Sequence, residues 1–291
     1  TPIILAEGGK QNVYTVIVGV SKYKDAQIKE KPKAEADAVA LFKLLSDKNI
    51  LGLTKDNGKL LLGEPKNAKD LSDFTSEATR ENVLEALKWA ASKATPDDLV
   101  IFGFFGQGGP LGDSGDRRCY FTSDSTFLGR DKNAIASSDL ADTLKALKSG
   151  KFCSFIDVNF KGFQAAQGKA VAEASLGTNP YQEFLGEDAS EDHLPLPGRV
   201  VFLATNGLYP SVDAVDNGVF AKALIEGLKG EADKEGYEAD GVVTVDELAE
   251  FLDKRMADLT KQYGKTKEEK NQPHWVLGGR TNHFILTHNP K

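Results

Sequence analysis

What this sequence lacks narrows its function before any motif is considered. It has only two cysteines, Cys119 and Cys153, too few for a disulfide framework and not spaced as zinc ligands. A free cysteine packs as a small apolar side chain, so both are expected in the core, which fits a reducing, cytoplasmic setting. The four histidines, His193, His274, His283 and His288, fall in an acidic segment and the tail, where surface positions are expected. No apolar run approaches the ~20 residues that a membrane helix needs, so no membrane contact is expected. Basic residues are not in excess either. The balance of 36 against 43 acidic residues, net −7, argues against nucleic-acid binding. There is no internal repeat and no low-complexity segment.

What remains is the composition of an ordinary globular protein. The chain has 291 residues, 40% hydrophobic and 27% charged, enough to bury a core without disulfides or metals. It starts at Thr1 rather than Met, so a processed or trimmed chain is expected, and Thr1 to Ala6 is too short to show a signal peptide.

The pivotal stretch is Asp97 to Gly109, DDLVIFGFFGQGG. A polar pair precedes an apolar run, Leu99 to Phe105, which breaks into glycines. Such a run reads as a strand buried on both faces, as in a parallel sheet. Glycines past its carboxyl end let backbone approach a ligand or a neighbouring strand, at the end where open α/β sheets form their crevices. Before it come a β-branched strand, Val13 to Val20, and a helix from about Lys33 to Ser46 with Ala34, Ala38, Leu41, Leu44 and Leu45 at helical spacing. A short strand is predicted over Lys59 to Leu62, and a helix opening on Thr79 as N-cap. After it the sequence predicts a loop from Gly106 to Arg118, a helix from about Ser138 to Leu147, and a second central strand, Lys151 to Val158. The residues following Asn159 read as a loop and a weak helix. Residues 175 to 197 read as a long surface excursion, Arg199 to Ala204 as a strand, and Phe220 to Leu228 as a helix. The tail from Pro273 to Asn289 alternates as a terminal hairpin would.

Two motifs suggest other chemistry and are set aside. GQGGPLGDSGD is rich in glycine, but it fits no phosphate-loop pattern and no helix is predicted after it. Asp240 to Leu252 resembles half of an EF-hand, yet its first ligand position is Gly236, and Thr244 to Glu247 reads better as a capping box.

Taken together, VYTVIVGVSKY, ATRENVLEALKWA, DLVIFGFFGQGG, YFTSDST, FIDVNFKG, RVVFLATNG, FAKALIEGLKG and GVVTVDELAEFL resemble, in family order, the caspase and metacaspase cysteine peptidases from Val13 to about Leu259. The resemblance implies an α/β three-layer sandwich with a mostly parallel central sheet of about six strands and helices on both faces. It also implies one domain over 1–291, with a core of about 12–262 and a C-terminal hairpin or tail at 263–291.

In that family the first strand end carries Ser-Gly-His-Gly, with His the general base, and the second carries Asp-x-Cys-x-x-Gly, with Cys the nucleophile. Gln107 falls at the His and Asn159 at the Cys, a separation close to the expected ~50 residues. An amide has no thiolate state, and Gln does not titrate near neutrality. The neighbourhood departs as well: Phe105 replaces the Ser, Phe160 the common His after the Cys, and Lys161 the Ser. Asp157 does match, and in metacaspase-type members it lines the pocket for a basic side chain before the cleaved bond; the plain alternative is a buried carboxylate holding a loop amide. Gly106 and Gly108 are the expected peptide-contacting backbone.

The expectation is a pseudopeptidase with a protein or peptide partner and neither metal nor cofactor. The competing expectation is a working hydrolase with a non-standard nucleophile. Cys153, six residues before Asn159, would lie ~20 Å away at ~3.3 Å per residue, and Cys119 has no histidine near it in sequence.

Overall fold

The structure is a computed structural model in which residues 11–112, 115, 117–164, 171–174, 181–186, 196–235, 239–278 and 282–289 are described. Strand β1 (Val13–Gly19) leads through a loop to helix α1 (Ala34–Ser46), then to β2 (Gly58–Leu62) and β3 (Thr75–Glu77). Helix α2 (Arg80–Lys93) follows, started by the Thr79 hydroxyl, which accepts a hydrogen bond from the Asn82 N–H. Next come β4 (Leu99–Leu111), β5 (Arg117–Tyr120), the short α3 (Arg130–Asn133), β6 (Ile135–Ala136) and α4 (Ser137–Lys145). Strand β7 (Lys151–Asn159), α5 (Gln182–Leu185), β8 (Arg199–Leu203), α6 (Val219–Glu226) and α7 (Ala232–Glu235) continue the chain. It closes with β9 (Val242–Thr244), α8 (Val245–Tyr263), α9 (Lys267–Lys270), β10 (Trp275–Leu277) and β11 (Ile285–His288).

The main sheet runs β10-β8-β7-β4-β1-β2-β3, parallel throughout except for the antiparallel edge strand β10. With β5 and β6 attached to the far end of β4, it holds nine strands among the described residues, more than the six expected. Helices cover both faces, and the period-2 pattern of β4 shows why. Leu99, Ile101 and Phe105 enter one core with Ala34, Ala38 and Leu41 of α1, Phe220 of α6 and Leu248 of α8. Val100, Phe102 and Phe104 enter the other with Val83 and Leu87 of α2, Leu140 and Leu144 of α4, and Phe184 of α5. Each buried Phe contributes ~2–3 kcal/mol. A one-residue slip of β4 would send all six side chains to the wrong face, so the register is strongly specified.

Several expectations change. Strand β4 does not break at Gly106: it runs on to Leu111, where Gly108–Leu111 pair antiparallel with β5. The tail is not a hairpin: β10 joins the main sheet beside β8, whereas β11 pairs with β9 in a separate two-stranded sheet. Residues 175–197 are not wholly a surface excursion, because Tyr181, Phe184 and Leu185 are buried in the second core. That segment also supplies Glu183, whose carboxylate meets Arg118 at 2.6 Å in a pair almost closed to solvent. The weak helix expected after Asn159 falls largely at 165–170, outside the described residues, as does His193. Thr244 and Glu247 form the expected capping box at the start of α8.

Candidate functional site

Strands β4 and β7 are neighbours, and their register places Phe105 opposite Asp157 and Gln107 opposite Asn159. The two positions singled out in the sequence are therefore brought face to face at the carboxyl ends of the central strands. Each turns to backbone. The Gln107 amide donates to the Glu30 carbonyl at 3.2 Å, and its backbone N–H donates to the Tyr23 hydroxyl at 2.7 Å. The Gln107 Oε1 is buried without a hydrogen-bond partner among the described residues. The Asn159 Oδ1 accepts from the Lys161 N–H at 3.0 Å, closing a tight turn on its own loop. Neither side chain has a proton it can lose near neutrality.

The glycines here serve the chain itself. A Cβ on Gly108 would stand 2.5 Å from the Phe160 ring and 2.7 Å from the Cys119 carbonyl, and one on Gly106 would stand 3.0 Å from the Tyr23 hydroxyl. The positions a side chain would take on both residues are thus filled by Tyr23 and Phe160. Phe160 packs edge-on to Tyr120 at 5.3 Å, and Phe105 enters the first core. Lys161 reaches outward to Glu173 at 3.0 Å.

Asp157 is 2% exposed, and both its oxygens are engaged. The Lys31 ammonium donates to Oδ1 and to the Asp157 backbone carbonyl, and the Ser211 hydroxyl donates to Oδ2 at 3.0 Å. The carboxylate therefore holds an ammonium rather than a loop amide. Beside it lies Asp37 of α1, fully buried, with Oδ1 accepting from the Gly218 N–H and the Asn217 side chain, each at 2.9 Å. Its Oδ2 has no partner among the described residues. Burial first, and then the Asp157 charge, push the Asp37 carboxyl up to about 7, against the pull of its two hydrogen bonds and of Lys31. Asp213, on the segment joining β8 to α6, is raised as well, again by burial first, with Lys31 opposing and Asp157 adding to the shift.

A cleft of about 700 Å³ adjoins this cluster, lined among others by Glu30, Glu35, Asn67 and Asn217. Its wall shares Glu30 with the Gln107 contact and Asn217 with the Asp37 contact. Among the described residues no group of three or more His, Cys, Asp or Glu is placed to hold a metal.

Both thiols are closed to solvent. Cys153 and Cys119 are both buried. Burial raises the Cys153 thiol well above its usual value and that of Cys119 to about 12. Of the histidines, His283 and His288 are exposed as expected, but the His274 side chain is only 10% exposed, 3.1 Å from Asp253 of α8. Burial lowers its pKa despite that carboxylate.

Sequence reasoning missed Lys31, Asp37, Tyr23 and Ser211. Asp37 alone left a signal. It stands three residues after Ala34 and four before Leu41, a carboxylate inside the apolar stripe of α1.

The caspase domain family matches residues 13–283, and the chain belongs to that family. Among solved structures, protein GSU0716 from Geobacter sulfurreducens is similar with a TM-score of 0.53 and 15% identity over 96% of this chain and 94% of its own. At that identity the likeness concerns the fold alone. Caspase-1 from Spodoptera frugiperda gives a TM-score of 0.49 and 14% identity over 93% and 87% of the two chains. Comparison with curated proteins finds no match.

Proposed function

We propose that the protein is a caspase-like pseudopeptidase, a non-catalytic domain that binds or scaffolds a protein or peptide partner. The observation that carries this reading is the pairing of Gln107 with Asn159 across the two central strand ends. From the motifs that resemble the family, these are read as the positions of the general base and the nucleophile. A peptidase cysteine works as the thiolate, and its base must take and return a proton near neutral pH. Two carboxamides do neither, and both are tied to backbone. In a serine peptidase, losing the nucleophile or the base alone costs on the order of 10⁶ in turnover.

A hydrolase built on a substitute thiol finds no support: both cysteines are buried and protonated at any pH of interest. Asp157, the family residue that is kept, is read as the group that would meet a basic side chain of a bound peptide. Fluorogenic peptides ending in Arg, Lys or Asp test the proposal. The expected result is no turnover above a heat-killed control. Steady turnover that follows the purified protein and scales with its concentration would overturn it.

A further inference from the structure

Arg199 opens β8 and is buried, 8% exposed, at the end of the sheet away from the crevice. It stands opposite Phe152 of β7, seven residues before Asn159, and so ~23 Å along the strand at ~3.3 Å per residue. Its guanidinium lies over the Phe152 ring at 5.6 Å and donates to two backbone carbonyls, Phe184 at 3.2 Å and Leu144 at 3.0 Å. Those bonds use two of its five N–H groups.

What this arginine lacks is a counter-charge. Arg80, Arg118 and Arg255 each meet a carboxylate. Arg130 meets none among the described residues, but its guanidinium donates to three backbone carbonyls, those of Pro110, Phe127 and Gly112. Arg199 also meets none among the described residues, and burial lowers its pKa with no neighbouring charge to offset the shift. Leu144 and Phe184 lie near the carboxyl ends of α4 and α5, where a helix end carries roughly half a unit of negative charge. Part of a buried charge is left unbalanced, and a buried cation demands a partner.

A cavity of about 270 Å³ opens on this residue, lined among others by Ala141 and Lys145 of α4, Leu147, Glu183 and Arg199. Lys145 brings a second positive charge, and its 3.5 Å pair with Asp142 lies at the surface, where such pairs contribute little. The acid on the wall, Glu183, has both oxygens committed to Arg118 and one of them also to Tyr120. The volume falls short of the ~300–1,000 Å³ of a pocket for a drug-sized ligand and suits a small ion with its water. A guanidinium fork matches the oxygens of a phosphate, and two cations on one wall favour a doubly charged anion. We propose that this cavity binds a small oxyanion of the phosphate class, held by Arg199 and faced by Lys145, and that the bound ion fastens α4 and α5 to β8. The site is independent of the reading of the crevice as a peptide-binding one.

The test titrates inorganic phosphate against the parent protein, Arg199→Gln and Ala141→Glu, by calorimetry and by thermal melting, with ionic strength held constant by sodium chloride. Ala141→Glu sets a carboxylate on the cavity wall, in a helix that tolerates Glu, and so supplies the missing counter-charge from within the chain. The parent should bind phosphate saturably and melt higher as phosphate rises, because a ligand of the folded state stabilises it by mass action. Both variants should bind at least ten-fold more weakly and lose that rise. If Arg199→Gln does not fold, Ala141→Glu decides alone. Absence of saturable binding by the parent overturns the proposal. Equal affinity in parent and Ala141→Glu overturns it too, since the ion is then adventitious and held elsewhere. A phosphoserine peptide that binds the parent more tightly than free phosphate, and loses that binding in Ala141→Glu, overturns the assignment to a free ion in favour of a phosphorylated partner.

Discussion

Replacing Asp37 with Asn should remove a pH dependence that the fold builds into its own stability. Asp37 is fully buried, its Oδ2 lacks a partner among the described residues, and Asp157 lies next to it. Its carboxyl stays protonated in the folded protein up to about pH 7, while in the unfolded chain it loses its proton near pH 4. Between these values the folded state binds the extra proton, so stability falls as pH rises. The contribution is complete below about pH 4 and gone above about pH 7. Integrated from pH 5 to pH 8.5, this one group should lower the unfolding free energy by about 3 kcal/mol. Asn mimics the neutral acid: its Oδ1 can still accept from the Gly218 N–H, and its amide can donate towards Asp157. Urea denaturation at half-unit pH steps for parent and Asp37→Asn isolates the group by difference. The variant should be close to the parent at pH 5 and more stable by about 2–3 kcal/mol at pH 8.5. Parallel curves over that range would refute the reasoning, because they would mean that Asp37 is ionised in the fold at little cost.

Three other outcomes are expected. Glu183→Gln removes the counter-charge of the buried Arg118 and should lower the unfolding free energy by ~3–5 kcal/mol in urea. Gly108→Ala drives a methyl group into the Phe160 ring and the Cys119 carbonyl, which should cost ~1–3 kcal/mol and lower the melting temperature. A thiol reagent should label neither cysteine of the native protein on the timescale that labels both in urea, since each thiol is buried and held protonated.

Much of the frame could be read from residue order. The β-branched run at 13–20 and the apolar run at 99–105 carry a two-faced burial signal, and both form central strands. The stripe of α1 and the caps at Thr79 and Thr244 are local signals that the structure repeats. The far half of β4 was misread because glycine and proline at 106–110 signal a turn. In the fold they are strand residues, kept small by the Tyr23 and Phe160 side chains packed over Gly106 and Gly108. The tail misled for a similar reason. Alternation marks β10 and β11 as strands but carries no information about which strand each one pairs with.

The candidate site divides along the same line. Gln107, Asn159 and Asp157 could be found from sequence because each sits in a short, contiguous motif at a strand end, and the chemistry of an amide or a carboxylate follows from residue type alone. That Gln107 faces Asn159 is a matter of register between strands far apart in the chain, and only the assembled sheet decides it. The state of Asp157 was still less accessible. Its partners, Lys31 and Ser211, come from the loop after β1 and the segment after β8, each far from Asp157 in sequence and brought to it only by the closing of the parallel sheet. Sequence by itself determined which groups cannot perform acid–base or nucleophilic chemistry here, since that is a property of the side chain. Tertiary structure decided which charge each buried group faces, because burial and Coulomb interaction depend on distance in space and not along the chain.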